Sequence, residues 1–428
     1  MRILIRGVAV IPRPEVGVIP KADVVIEGRR FSAVVVGEEV QGPFDRIIEG
    51  EGKLLIPGLV NAHTHLAMTL FRGLAQDRPL MDWLEKEVWP REKKLSGEIV
   101  HWFSLLGLVE MIRSGTTAFA DMYFFMEEVA EAVEKAGVRA VLSYGIIAPT
   151  PERLEPELKK AENFAREWDG KAEGRIRAAL SPHAPYTCGP EVWKKAVALC
   201  RELRIPIHTH LAETAEEVAR WQKEKGRSPV EWLEELGVFG VPTLAAHCVH
   251  LSEKDMEILA AHGVSAVHCP TSNLKLACGI APVVEMLKSG VNVCLGTDGA
   301  GSAGDLNMIE EMRLAALLAK VKSGDPQALA APEALSLATW RGAAALGWGK
   351  ELGTIEPGRR ADGVMIRLDQ AHLVPDHDLL ANLVYAAQGA DVDTVFVDGR
   401  FLLLEGELQT LDEEKIIGRC RELAAKFR

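Results

Sequence analysis

The chain has 428 residues, more than one hydrophobic core usually organises, so a decorated barrel or a pair of domains is expected. A hydrophobic fraction of 48% with 26% charged residues is that of a folded globular protein and excludes a collagen-like, low-complexity or largely disordered chain. The net charge of -12, dispersed rather than run together, argues against nucleic acid as a partner, and no apolar run reaches the roughly eighteen residues that span a bilayer.

The first segment, MRILIRGVAVI, carries no small-residue cleavage site and reads as a strand. Residues 1 to 53 continue in β-hairpin style, with ADVVIEG, RFSAVVVG and RIIEGEG separated by turn residues. Leu54 to Ile56 then form an apolar run suited to a buried barrel strand, and Pro57-Gly58 redirects the chain before Leu59-Val60 resumes it. From there to about residue 345, apolar strands alternate with helical patterns. The strands after the first are TTAFADMY (116 to 123), RAVLSYGII (139 to 147), RIRAALSPHAP (175 to 185), IPIHTHLAE, TLAAHCVH, VSAVHCP and VNVCLGTDG. Between them lie amphipathic segments such as EEVAEAVEKAG (127 to 137) and DMEILAAHG (255 to 263), each ended by glycine. Eight strands with intervening helices predict an α/β fold, a TIM-type (β/α)8 barrel over residues 54 to 349. Near residue 350 the β style returns in LGTIEPGRRADGVMIRLD and VDTVFVDGRFLLLEGEL, followed by a helix over 412 to 427. Residues 1 to 53 and 350 to 428 are therefore expected to pair into one small β-sandwich domain. Seven scattered cysteines without a Cys-x-x-Cys pair fit a reducing, cytoplasmic setting.

Catalytic residues of a parallel barrel sit at the C-terminal ends of its strands, so the side chains found there matter most. The first strand ends in His63 and His65, whose i, i+2 spacing puts both imidazoles on one side of extended chain. The fourth ends in His183, the fifth in His208, His210 and Glu213, the sixth in His247 and His250, and the eighth in Asp298. Any one of these is ordinary as a hydrogen-bonded residue; nine on one face are not. Three neutral imidazoles and a carboxylate suit one divalent metal, zinc foremost and ferrous iron as the other candidate, with water in the remaining position. Such a metal lowers the pKa of its water to about 7 and so favours hydrolysis or deamination without a covalent protein nucleophile. Glu213, just beyond the strand in HTHLAE, is placed to shuttle protons. His208 and His210 share one parity, and spacing leaves open which of them holds the metal.

The segments PGLVNAHTH, SPHAPYTC, HTHLAET, AAHCVHL, HCPTSNLKLACGIAP and LGTDGAGS, in this order, resemble the amidohydrolase superfamily over nearly the whole chain. Within it the sequence resembles the 5-methylthioadenosine/S-adenosylhomocysteine deaminases. The resemblance implies a metal-dependent barrel with a split β-sandwich that hydrolytically deaminates adenosine-type nucleosides, and a small-molecule substrate; a homo-oligomer is compatible with this reading, and the sequence does not fix the number of subunits. It implies that His63, His65, His210 and Asp298 are metal ligands, that Glu213, His247 and Asp298 are catalytic, that His183 contacts substrate and that Glu92 meets ribose hydroxyls. Met68, Leu70 and Trp83 would shelter a 5'-thioether. Arg153 is the counterpart offered for a contact with the amino-acid tail of the larger substrate, whereas Tyr144 stands where some relatives carry arginine. The same ligands would serve a deaminase or chlorohydrolase of guanine, pterins or triazines, which is the alternative reading. The fourth strand offers neither lysine nor glutamate to bridge two metals, so a single metal is expected.

Overall fold

The computed structural model describes residues 1–74, 77–148 and 150–427, so that Arg428, the end of the expected C-terminal unit, lies outside the described residues. Eight parallel strands form the barrel: Leu59–Thr64, Thr116–Tyr123, Arg139–Ile146, Ile176–Pro182, Ile207–Leu211, Thr243–His247, Ser265–His268 and Asn292–Leu295. The first two are buried at every position, as parallel strands covered on both faces must be. Ala118, Ala120, Val141, Ala179, Leu244 and Val267, from five of the strands, pack together with Leu346 and Trp348, so the barrel is filled rather than hollow. Its ends are joined by hydrogen bonds: the Asn61 amide donates to the Thr297 hydroxyl (2.7 Å) and accepts from the Thr297 N–H (3.0 Å). One residue on, the Asp298 N–H donates to the His63 carbonyl at 3.0 Å. Gly296 permits this approach, since a Cβ there would lie 2.8 Å from the backbone N and O of His63. The helix read at 127 to 137 spans Met126–Ala136, and Gly137 ends it with φ 90°.

Both chain ends supply a second, nine-stranded sheet, with Arg2–Val10, Ile19–Glu27, Arg30–Val35, Arg46–Glu49 and Lys53–Pro57 from the first and Gly363–Arg367, Val392–Val397, Arg400–Leu404 and Glu407–Leu408 from the second. Ile3, Ile5, Val24, Ile26, Phe31, Met365 and Phe396 form its separate core. The apolar run Leu54 to Ile56 belongs to this sheet and not to the barrel: Ile56 pairs with Val364 and Leu54 with Ile366, antiparallel. The barrel begins two residues after Pro57. Apolarity alone does not distinguish a strand buried in one sheet from a strand buried in the other. Among the described residues, no single helix is long and apolar enough to cross a membrane.

Sheet and barrel are pinned together by Arg139, the first residue of the third barrel strand, which is wholly buried. Its guanidinium donates to Asp362 through Nε (2.6 Å) and Nη2 (3.0 Å) and also to Asp398. Replacing Arg139 with leucine strands these carboxylates without their principal cation. The expected loss is about 3 to 5 kcal/mol of stability, the usual consequence of removing one partner of a buried pair. Urea unfolding measures it, and a loss below about 1 kcal/mol, the value of an exposed pair, would contradict the pinning role.

Candidate active site

Four imidazoles are turned the same way by what lies behind them. His65 Nδ1–H donates to the Met122 carbonyl at 2.7 Å and His210 Nδ1–H to the His183 carbonyl at 2.8 Å. His63 Nδ1 meets His208 Nε2 at 2.8 Å, and His247 Nδ1 meets Asn273 Oδ1 at 2.9 Å. Every Nε2 is thereby left facing a common centre. Asp298 is prepared in the same manner, because Oδ2 accepts from the hydroxyls of Ser272 (2.6 Å) and Ser302 (2.8 Å) while Oδ1 accepts the Gly299 N–H (2.7 Å) and faces the imidazoles. Ala212, His247 and Asp298 carry φ of 51°, 73° and 61°, so three strand ends adopt left-handed backbone to aim these side chains.

The spacing fits a metal ion. His63 Nε2 and His65 Nε2 lie 3.5 and 3.3 Å from Asp298 Oδ1, and His65 Nε2 lies 3.3 Å from His210 Nε2. Adjacent ligand atoms around a tetrahedral zinc are separated by roughly 3.4 Å, given Zn–N bonds of about 2.1 Å. A carbonyl only accepts, so in the neutral rings of His65 and His210 the proton sits on Nδ1, and their two Nε2 lone pairs point at each other with no proton between them. A cation removes that repulsion. Burial holds His63 down to about 4 and His183 to about 3, and burial followed by the neighbouring His183 holds His210 well below its ordinary value. His63 and His210 are thereby favoured in the neutral form, the one in which an imidazole can bind a metal. Burial opposes ionisation of Asp298, but the adjacent imidazole of His63, followed by those of His65 and His247, keeps its carboxyl well below the usual range.

Glu213 is 4% exposed, and burial raises its carboxyl above the ordinary value. Its backbone N–H is held by Glu217 Oε2 at 2.9 Å, the Cys278 thiol donates to its Oε1 at 3.7 Å, and His247 Nε2 stands 3.9 Å from the same oxygen. Burial alone would lower His247, but Glu213 and Asp298 outweigh it and raise the imidazole above its normal value. Across the cavity, half-buried Glu92 ends the short helix Trp89–Glu92 and accepts the Tyr123 hydroxyl at 2.8 Å. Burial pushes its carboxyl up to about 7, against that hydrogen bond. His65, His183, His210, Glu213, His247, Asp298 and Glu92 all line one cavity, whose apolar wall includes Met68, Leu80, Trp83, Leu84 and Val88.

Other candidates lie elsewhere. Leu70 packs on the core and does not border the cavity. Arg153, on the helix Pro151–Trp168, has a side chain 57% exposed that faces Glu157 at 3.7 Å, and it too is outside the lining. The Tyr144 hydroxyl accepts the Phe125 N–H at 3.2 Å. His250 Nε2 faces the Cys278 carbonyl at 2.6 Å and so braces a loop. Sequence reasoning missed Ser272, Ser302, Asn273 and Tyr123. The first and third lie inside HCPTSNLKL and the second ends LGTDGAGS, segments that carry the family resemblance without marking which of their side chains acts.

A barrel with this cluster at its strand ends defines a class, the metal-dependent hydrolases, and the chain belongs to the amidohydrolase family, whose sequence profile matches residues 54–402. More particularly, the chain is 48% identical over 429 residues to a 5-methylthioadenosine/S-adenosylhomocysteine deaminase of Syntrophomonas wolfei, covering 100% of this chain and 99% of that one. It is 47% identical to a 5'-deoxyadenosine deaminase of Methanothermobacter thermautotrophicus, covering 99% and 98%. The crystal structure of an adenosine deaminase from Xanthomonas campestris with bound zinc superposes with a TM-score of 0.94 at 35% identity, covering 99% of this chain and 98% of that one.

Proposed function

We propose that the protein hydrolytically deaminates adenosine-type nucleosides, converting 5'-methylthioadenosine, S-adenosylhomocysteine or a similar 5'-substituted adenosine to the inosyl product and ammonia. The observation that carries this reading is one cavity with the imidazole-carboxylate cluster and Glu213 on one side and the Glu92–Tyr123 pair on the other. His63, His65, His210 and Asp298 hold one divalent metal, zinc foremost and ferrous iron as the alternative. When bound, the metal acts as a Lewis acid that lets a water become a nucleophile near neutral pH.

The chain's own groups do the rest. Glu213, whose buried carboxyl favours the protonated form, gives its proton to N1 of the purine as C6 is attacked and is refilled by a proton of the attacking water. The water's other proton passes by way of Asp298 or Glu213 to the 6-amino group, which leaves as ammonia, and N1 keeps the proton it received. His247, oriented by Asn273, donates toward the oxygen added at C6 and stabilises its developing charge. Glu92 accepts from the ribose hydroxyls, and His183 contacts the base or sugar. Met68 and Trp83 shelter the 5'-substituent. Arg153, exposed beside Glu157, stands outside this arrangement. Seven buried, unpaired cysteines accord with a cytoplasmic setting.

Ammonia or chloride release is measured from adenosine, methylthioadenosine, S-adenosylhomocysteine, adenine, guanine and a chlorotriazine. Nucleosides are expected to lead, and Glu92→Ala to lower their kcat/KM by about 2 to 3 kcal/mol, the scale of a lost hydrogen bond to a charged group. Free adenine or guanine turned over as efficiently as methylthioadenosine, or a kinetically silent Glu92→Ala, would transfer the reading to the base or triazine alternative.

A further inference from the structure

His208 is the one strand-end histidine of the fifth strand that the reaction does not use. It sits two residues before His210 on Ile207–Leu211, so both side chains point the same way, but His208 lies one pleat deeper and is fully buried. Its Nε2 lies 2.8 Å from His63 Nδ1, with the two rings edge to face at an interplanar angle of 87°. The contact is therefore along the ring edge where a proton is shared, and not a stacking of faces.

The three ring ligands differ in what fixes them. Backbone carbonyls stand behind His65 and His210, and a carbonyl leaves no choice of tautomer. Behind His63 stands an imidazole, which can accept or donate. For His63 to present a lone pair at Nε2, its Nδ1 must carry the proton and His208 Nε2 must accept it. His208 then bears its own proton on Nδ1, an atom with no hydrogen-bond partner among the described residues. An uncompensated buried donor is costly, and a merely structural role would be met as well by an apolar residue of the same size.

We infer that His208 is a positioning residue that holds His63 in the Nδ1–H tautomer and thereby sets the affinity of the metal site. The inference rests on the reading of His63 as a ligand. It predicts that any side chain placing an acceptor at this point will serve, and that one filling the same volume without an acceptor will not.

The test compares His208→Gln with His208→Leu in the full chain, reading zinc affinity by competition with a chromophoric chelator and the unfolding temperature of the metal-free protein. Outer partners of metal-bound histidines typically contribute 10- to 100-fold in affinity, so His208→Leu is expected to bind zinc roughly that much more weakly. His208→Gln should stay within about threefold of the parent, and the metal-free proteins should unfold alike. Parent-like affinity in His208→Leu overturns the inference, as does His208→Gln binding as weakly as His208→Leu. Failure of the parent chain itself to bind zinc would instead overturn the metal reading. Should His208→Leu not fold, the zinc-loaded parent with 15N-labelled histidine decides: a coupling across the hydrogen bond between the two ring nitrogens supports the inference, and its absence removes it.

Discussion

Glu213→Gln is expected to lower kcat by roughly 10² to 10⁴, the range that general acid-base catalysis supplies, while metal content stays at the level of the parent protein. The substitution keeps the size of the side chain and its hydrogen-bonding reach, so Cys278 and the Glu217-held backbone retain their places. What it removes is a proton that can leave and return. Glu213 is suited to that task because burial raises its carboxyl and because His247, at 3.9 Å, shares the same edge of the cavity. None of the atoms around the Asp298 Oδ1 centre belongs to Glu213, which is why metal and rate should separate. Single-turnover rates together with metal analysis make the comparison. A loss smaller than about threefold would assign the proton transfer to another group.

The barrel was legible because its strands are nearly continuous apolar runs that end in polar side chains, and a strand end is where a parallel barrel keeps its chemistry. The two-residue spacing of His63 and His65 survives in the structure as two Nε2 atoms within 3.5 Å of one carboxylate oxygen. Spacing could not separate His208 from His210, since both share one face of the strand; depth along the barrel separates them, and depth follows from register with neighbouring strands. For the same reason Ser272 and Ser302 escaped notice. Each is an ordinary serine in sequence, and they become partners only because the short helix Pro270–Lys275 and the loop after the eighth strand deliver their hydroxyls to the same oxygen of Asp298. Tyr123 was visible as the last residue of a strand, but its hold on Glu92 depends on where the short helices after the first strand settle. Leu54 to Ile56 show the converse, an apolar run whose burial was plain and whose partner sheet was not.

His65→Ala is expected to abolish both metal binding and turnover. The ring lies between the other donors, with Nε2 at 3.3 Å from Asp298 Oδ1 and at 3.3 Å from His210 Nε2. Alanine leaves two imidazoles and a carboxylate, a poor set for zinc, and the space that the ring vacates admits water as a weak substitute. It also frees the Met122 carbonyl, which the Nδ1–H of His65 engages at 2.7 Å, so the loss is of a preorganised donor and not merely of one bond. His250→Ala is the matched control: that ring braces the Cys278 carbonyl away from the centre, and its removal should leave metal content unchanged. Metal content after dialysis against buffer, followed by activity with zinc restored at saturating concentration, distinguishes weakened binding from lost chemistry. Full occupancy with normal turnover in His65→Ala would show that the metal is held by a different set of residues.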